Sequence, residues 1–181
     1  MPTSFDTLLE TMQRLRDPIE GCPWDLEQSH ASLRDTLVEE TYEALDALES
    51  GDAAQLVEEL GDLLLQIVFH AQIGTDRGTF TIEEVVTGLN AKLIRRHPHV
   101  FGDAAAHTTT EVTGQWERLK AKERSDNNQA DRSMLAGVSK GMPALAYAHA
   151  VLGKVRRAGF DWDDPNMSIE KITEEIEELR E

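Results

Sequence analysis

Residues 33–74 read LRDTLVEETYEALDALESGDAAQLVEELGDLLLQIVFHAQIG, and this stretch decides the fold. Leu33, Leu37, Ala44 and Leu48 recur at helical spacing, Ser50-Gly51-Asp52 interrupts them, and Leu56, Leu60, Leu63, Ile67 and Ala71 resume the period. The spacing predicts one helix from about Ser32 to Glu49 and a second from about Ala53 to Ile73, stopped at Gly74. Both helices carry acids, as Glu39-Glu40-x-x-Glu43 on the first and Glu59-x-x-Asp62 on the second. A helix puts residues three apart on one face, so each pair can aim two carboxylates at one point.

Helical angles place these acids more closely. Counted at 100° per residue from Leu33, the positions Leu37, Ala44 and Leu48 fall at about 40°, 20° and 60°, and Glu40 falls at about 340°, within the apolar stripe. Glu43 and Glu39 follow at about 280° and 240°, on its border. On the next helix, counted from Leu56, Glu59 lies at about 300° and Asp62 at about 240°, beside a face expected to be buried through Leu60, Leu63, Ile67 and Ala71. The same edge is acidic on both helices. A carboxylate desolvated there is expensive unless it is neutralised, paired or bound to a metal.

Periodicity alone leaves two readings open. In a chain with 34 acidic residues, such acids are also what solvated helix surface looks like, and Glu58, Glu83 and Glu84 are read that way. A salt-bridge network is disfavoured because the two helices hold no lysine and only Arg34 as a base. If the site is real, oxygen-only ligands favour Mg²⁺, with Mn²⁺ as a substitute, over zinc. A di-iron bundle would need two Glu-x-x-His pairs, and only Glu27-x-x-His30 has that spacing.

Outward from this hairpin the chain stays helical. Phe5, Leu8, Leu9, Met12 and Leu15 define a first helix, which Asp17-Pro18 and Gly21-Cys22-Pro23 end in a turn carrying Trp24 and Asp25. Thr81-Ile82-Glu83-Glu84 has the form of a capping box and opens a helix running to Arg96, where His97-Pro98 ends it and a loop containing Phe101-Gly102-Asp103 follows. A further helix spans roughly Thr110 to Arg124, a short one runs from Pro143 through Arg157, Gly159 to Pro165 reads as a turn, and Ser168 to Glu181 is again helical. No strand pattern is convincing, so the class is all-α, a helical bundle. Residues 1–124 form the main domain, 125–133 a linker, 134–165 a helical connector and 166–181 a terminal helix.

Composition narrows the partners. At 181 residues and 40% hydrophobic, the chain can bury one sizeable core. A net charge of −16 argues against nucleic acid or an anionic membrane as the main partner. One cysteine, Cys22, fits a reducing compartment, and neither a signal peptide nor a membrane span is read, so the cytoplasm is expected. Lys92 and Arg96 stand four apart on a helix and can reach one phosphate tail together. Trp116 and Lys120 repeat that spacing, pairing a flat apolar surface with a charge, although each of the four also reads as ordinary surface or core. His97 and His99 read as capping or packing, and Cys22 as a small buried hydrophobe.

Several stretches together resemble the MazG family of nucleoside triphosphate pyrophosphohydrolases. They are Gly21-Cys22-Pro23-Trp24-Asp25, Glu39-Glu40-x-x-Glu43, Glu59-Leu60-Gly61-Asp62, Arg95-Arg96-His97-Pro98-His99-Val100-Phe101 and Trp116-Glu117-x-x-Lys120. The resemblance covers about residues 5 to 124. It implies that Glu40, Glu43, Glu59 and Asp62 bind Mg²⁺, that Glu39 orients or deprotonates water, and that Lys92, Arg96, Trp116 and Lys120 contact substrate. The reaction implied is hydrolysis of a (deoxy)nucleoside triphosphate to monophosphate and pyrophosphate, a nucleotide-pool sanitation activity, in a homodimer or higher oligomer that completes the bundle. The alternative is a non-catalytic nucleotide-sensing or interaction module that keeps the metal site. Gly159-Phe160-Asp161-Trp162 resembles the connector before a second domain, and Glu174-Glu175-x-x-Glu178 resembles the start of that domain without its Glu-x-x-Asp.

Overall fold

Thr3 and Thr81 open two helices by the same device. Each hydroxyl accepts from the amide three residues on, Asp6 or Glu84, while that residue's carboxylate accepts from the threonine amide. The computed structural model describes residues 2–126, 133, 135–160 and 164–180. These residues are all-α, with no strand among them. The predicted linker and Asp161-Trp162 fall largely or wholly outside the described residues.

The chain divides into two compact units, residues 1–105 and 106–181. The first holds α1 (Ser4–Leu15), α2 (Pro23–Glu27), α3 (Arg34–Ser50), α4 (Ala53–Asp76), α5 (Ile82–Arg96) and α6 (Pro98–Phe101). The second holds α7 (Thr109–Asp126), α8 (Ala144–Arg157) and α9 (Pro165–Glu178). No helix of the described residues is long and apolar enough to cross a membrane.

Helices α3 and α4 form the principal pair, joined by a reversal that the sequence encodes in two residues. Gly51 takes the left-handed conformation (φ 70°) that closes α3, and the Asp52 carboxylate accepts from the amides of Ala54 and Gln55 to open α4. The core sits at the far end of α4, where Val68, Phe69 and Ile73 meet Met12 of α1 and Leu33 before α3. Arg16 stitches this end together. Its side chain is 7% exposed, its Nε lies 2.7 Å from Asp76 Oδ2, its Nη1 donates to the carbonyl of Asp25, and its guanidinium lies 5.5 Å from the Phe69 ring centroid.

Four local expectations are corrected. Gly74 does not stop α4, which runs on to Asp76. A Cβ at Gly74 would stand 2.8 Å from the Phe80 carbonyl oxygen and 2.9 Å from two ring carbons, so this glycine serves close packing and not a helix end. The turn after Pro23 is a short helix, because Pro23 opens it and the Gln28 amide closes it on the Asp25 carbonyl. His97-Pro98 ends α5 yet also opens α6, so Phe101 is helical. Pro165 is the first residue of α9 instead of the last of a turn.

A fifth correction concerns burial. Leu63 is half-buried and Ala71 buried, but Leu60 and Ile67 are 53% and 49% exposed. Leu48 on α3 is exposed too. Only Ala44 and Ala47 of α3 are fully covered, and α5 buries none of its side chains.

The two glycines of α4 should therefore respond oppositely to alanine. Gly74→Ala is expected to lose about 1–3 kcal/mol to overpacking, because a backbone carbonyl is among the atoms in the way. Gly61→Ala, with nothing within 4 Å of its added methyl, is expected to gain about 0.5–1 kcal/mol from helix propensity. Urea unfolding followed by circular dichroism measures both; equal effects would sink the packing account of Gly74.

Candidate metal and nucleotide site

The α3–α4 hairpin brings its acids to one place. Carboxylate oxygens of Glu40, Glu43 and Glu59 lie within 4.8 Å of one another. Asp62, half-buried one turn beyond Glu59, acts on the same group: it raises the pKa of both Glu40 and Glu59. The alanines explain the convergence. Ala44 and Ala47 are the covered residues of α3, and such small side chains let the axes approach closely, so glutamates at their border reach those of α4.

Electrostatics at this point run one way. The pKa of Glu40 is raised first by desolvation, then by the charges of Asp62 and Glu43, by a hydrogen bond to Glu43 and by the charge of Glu59. That of Glu59 is raised by desolvation and then by Glu43, Glu58 and Asp62. Every cause pushes upward, and among the described residues none comes from a cation. Arg34, the base considered for a salt-bridge network, lies instead 3.4 Å from its neighbour Asp35 on the surface. Convergent carboxylates are the donor set that hard divalent ions take.

The other sequence candidates are placed as follows. Glu39 is exposed on α3, outside the converging trio. Lys92 is exposed and Arg96 half-buried along α5, which packs on α4. Trp116 and Lys120 are half-buried on α7, in the second unit. His97 Nδ1 lies 2.7 Å from the Leu93 carbonyl oxygen, the capping role expected of it. Cys22 is half-buried and lines a shallow cavity with Arg14 and Glu20, away from the carboxylates. On α9, Glu174 and Glu175 pair with Lys171, at 2.6 and 3.6 Å, as exposed helix surface.

Two features escape a reading by pairs. His30 pairs with His70, Nδ1 to Nδ1 at 2.8 Å with the rings stacked, and Phe80 also stacks with His30. Burial first, and the His30 charge second, lower the His70 pKa. Gln66 is 4% exposed, and its Oε1 is buried without a hydrogen-bond partner. The signal was available: Gln66 is the one amide inside the densest apolar run, Leu63 to Ala71.

Fold and site thus define an all-α protein whose paired helices gather three carboxylates, with the charge of Asp62 acting on two of them. Residues 28–101 match the family model of the MazG nucleotide pyrophosphohydrolase domain. The chain is 46% identical over 177 residues to the nucleoside triphosphate pyrophosphohydrolase/pyrophosphatase MazG of Thermotoga maritima, covering 98% of this chain and 66% of that protein. It is 43% identical over 175 residues to the nucleoside triphosphate pyrophosphohydrolase of Escherichia coli K12, covering 97% and 66%. A crystal structure of a mazG-related protein from Thermotoga maritima aligns with a TM-score of 0.54 at 28% identity, over 64% of this chain and 97% of that one. The chain belongs to the MazG family, and it spans 66% of the length of these two curated relatives.

The raised pKa of Glu40 gives a pH signature. Its destabilising ionisation is fully present above the folded-state pKa and is relieved as pH falls through that value towards 4.5. Glu40→Gln in metal-free protein is therefore expected to raise the melting temperature at neutral pH, with the gain shrinking as pH approaches 4.5. Thermal melts of both proteins across that range give the answer; a variant that melts lower throughout would contradict the repulsion.

Proposed function

We propose that this chain hydrolyses nucleoside triphosphates, in ribo or deoxy form, between the α and β phosphates, using Mg²⁺ held by Glu40, Glu43, Glu59 and Asp62. The observation that carries this reading is the convergence of the carboxylates, with no neutralising cation among the described residues. It accords with the nucleoside triphosphate pyrophosphohydrolase relatives. Bound there, the ion supplies Lewis acidity and lowers the pKa of a water at the α phosphate. Glu39, beside the cluster in sequence, orients that water or takes its proton. Lys92 and Arg96 offset charge on the phosphates. The products are a nucleoside monophosphate and pyrophosphate, which suits nucleotide-pool sanitation in the cytoplasm.

The same reading includes a second copy. Val38, Tyr42 and Leu45 on α3, Leu60 and Ile67 on α4, and Leu89 and Leu93 on α5 are all exposed in one chain. Apolar helix faces left open in this way are what homodimerisation covers.

With Mg²⁺ at about 100 times its Kd, binding should stabilise the fold by about 2.7 kcal/mol, a rise of about 5–10 °C in melting temperature. Phosphorus NMR of a triphosphate panel should show monophosphate and pyrophosphate as first products. Glu43→Ala and Asp62→Ala should each cost at least about 100-fold in turnover, the range for losing a preorganised charge-stabilising group, with helical circular dichroism retained. Orthophosphate as the first product would refute cleavage between α and β. Tight Mg²⁺-nucleotide binding without turnover would leave the sensing module standing. Sedimentation should return a mass of at least two chains.

A further inference from the structure

The edge of α4 that carries the metal-site acids does not end with them. Counted from Glu59, the residues Asp62, Gln66 and His70 fall at about −60°, −20° and +20°, one row along a single face. The two ends of this row are occupied. Glu59 and Asp62 meet Glu40 and Glu43 of α3, and His70 is closed by His30 before α3. Between these tie points stands Gln66, 4% exposed, with its carboxamide oxygen buried and unpartnered. It lies one turn, about 6 Å of helix rise, from Asp62.

A buried amide oxygen is ordinarily satisfied, and an orphan in a native fold calls for a partner. No donor among the described residues reaches the Gln66 oxygen. A ligand anchored by its phosphates at the carboxylate end and extending along the row would bring its next group to Gln66. In a nucleotide that group is the nucleoside. A carboxamide presents one donor and one acceptor side by side, and it can turn over to present them in either order, which matches the paired donor and acceptor on the edge of a nucleobase.

We propose that Gln66 is a specificity-determining residue that hydrogen-bonds the edge of the nucleobase. This rests on reading the carboxylate cluster as a nucleotide phosphate site. Gln66 takes no part in the bond breaking; it selects which base is held while the triphosphate lies at the acids.

The test uses the full chain with Mg²⁺ and the four common ribonucleoside triphosphates with their deoxy counterparts. Both kcat/KM for pyrophosphate release and Kd by calorimetry are measured for the wild type, Gln66→Leu and Gln66→Glu. Gln66→Leu should weaken the preferred base by about 10-fold or more, mainly in KM, and bring the ratios between bases towards unity. Gln66→Glu, which keeps acceptors and loses the donor, should reorder the preference. Base ratios within about two-fold of wild type in both variants, or a change confined to ribo against deoxy sugars, would overturn the role of Gln66 and leave the hydrolase reading intact. Base-selective binding that Gln66→Leu levels, in a wild type without turnover, would support Gln66 and sink the hydrolysis. No nucleotide binding by the wild type would overturn both. Circular dichroism confirms that each variant is folded, and a higher melting temperature for Gln66→Leu with unchanged ratios would assign the orphan oxygen to packing alone.

Discussion

The packing of α3 on α4, with Ala44 and Ala47 the covered residues of α3, is the constraint on which the rest depends. Alanine loses no side-chain entropy on burial and imposes the smallest separation between helix axes. Larger residues at these covered positions would push α3 outward by their own bulk. The cluster would open, because the carboxylates of Glu40, Glu43 and Glu59 lie within 4.8 Å only at the present spacing. The reversal at Gly51 and Asp52 fixes the register, since it closes one helix and caps the next with no residue between. Packing therefore sets the charge geometry, and the charges oppose the packing.

That opposition is met by an uneven distribution of stability along α4. Its C-terminal half is anchored by Met12, Leu33, Val68, Phe69 and Ile73, and by Arg16, which reaches Asp76 and the Asp25 carbonyl. A guanidinium this buried is costly unless its donors are satisfied, and here several elements satisfy it at once. The N-terminal half of α4 has no such anchor: Val57 and Leu60 are exposed, as are Leu45 and Leu48 across from them on α3. The acids occupy the half that the monomer packs least. Solvent can enter at that half while the anchored half holds the helix directions.

Much of this was legible, and the failures share a physical cause. Helix existence followed from periodicity and punctuation, and the Thr81 capping box was visible letter by letter. The angular position of Glu40 on the apolar stripe pointed to its half-buried placement. What periodicity cannot supply is the identity of the neighbour. Gly74 looked like a stop because only the fold shows Phe80 lying against it. Leu60 and Ile67 looked buried because an apolar stripe says that a surface wants cover, not whether the same chain provides it. Spacing finds no partner for His30, because that partner stands forty residues on, at His70. Gln66 gives no periodic signal, because one amide in an apolar run carries no period.

The acid cluster and the orphan amide are of a kind, and together they constrain what this edge of α4 can hold. Both are polar groups placed at a buried or bordering position without the partner that would offset desolvation: a cation in one case, a hydrogen-bond donor in the other. A structural role explains neither, since an apolar residue at position 66 and a lysine opposite Glu40 would each relieve the fold. The two deficits are also ordered along one edge of α4, charge first and amide a turn later. A ligand that removes both must be cationic where it meets the acids and must carry a hydrogen-bonding group about one helical turn away. A bare divalent ion satisfies only the first, and a nucleoside only the second. A metal-bound nucleotide satisfies both at once.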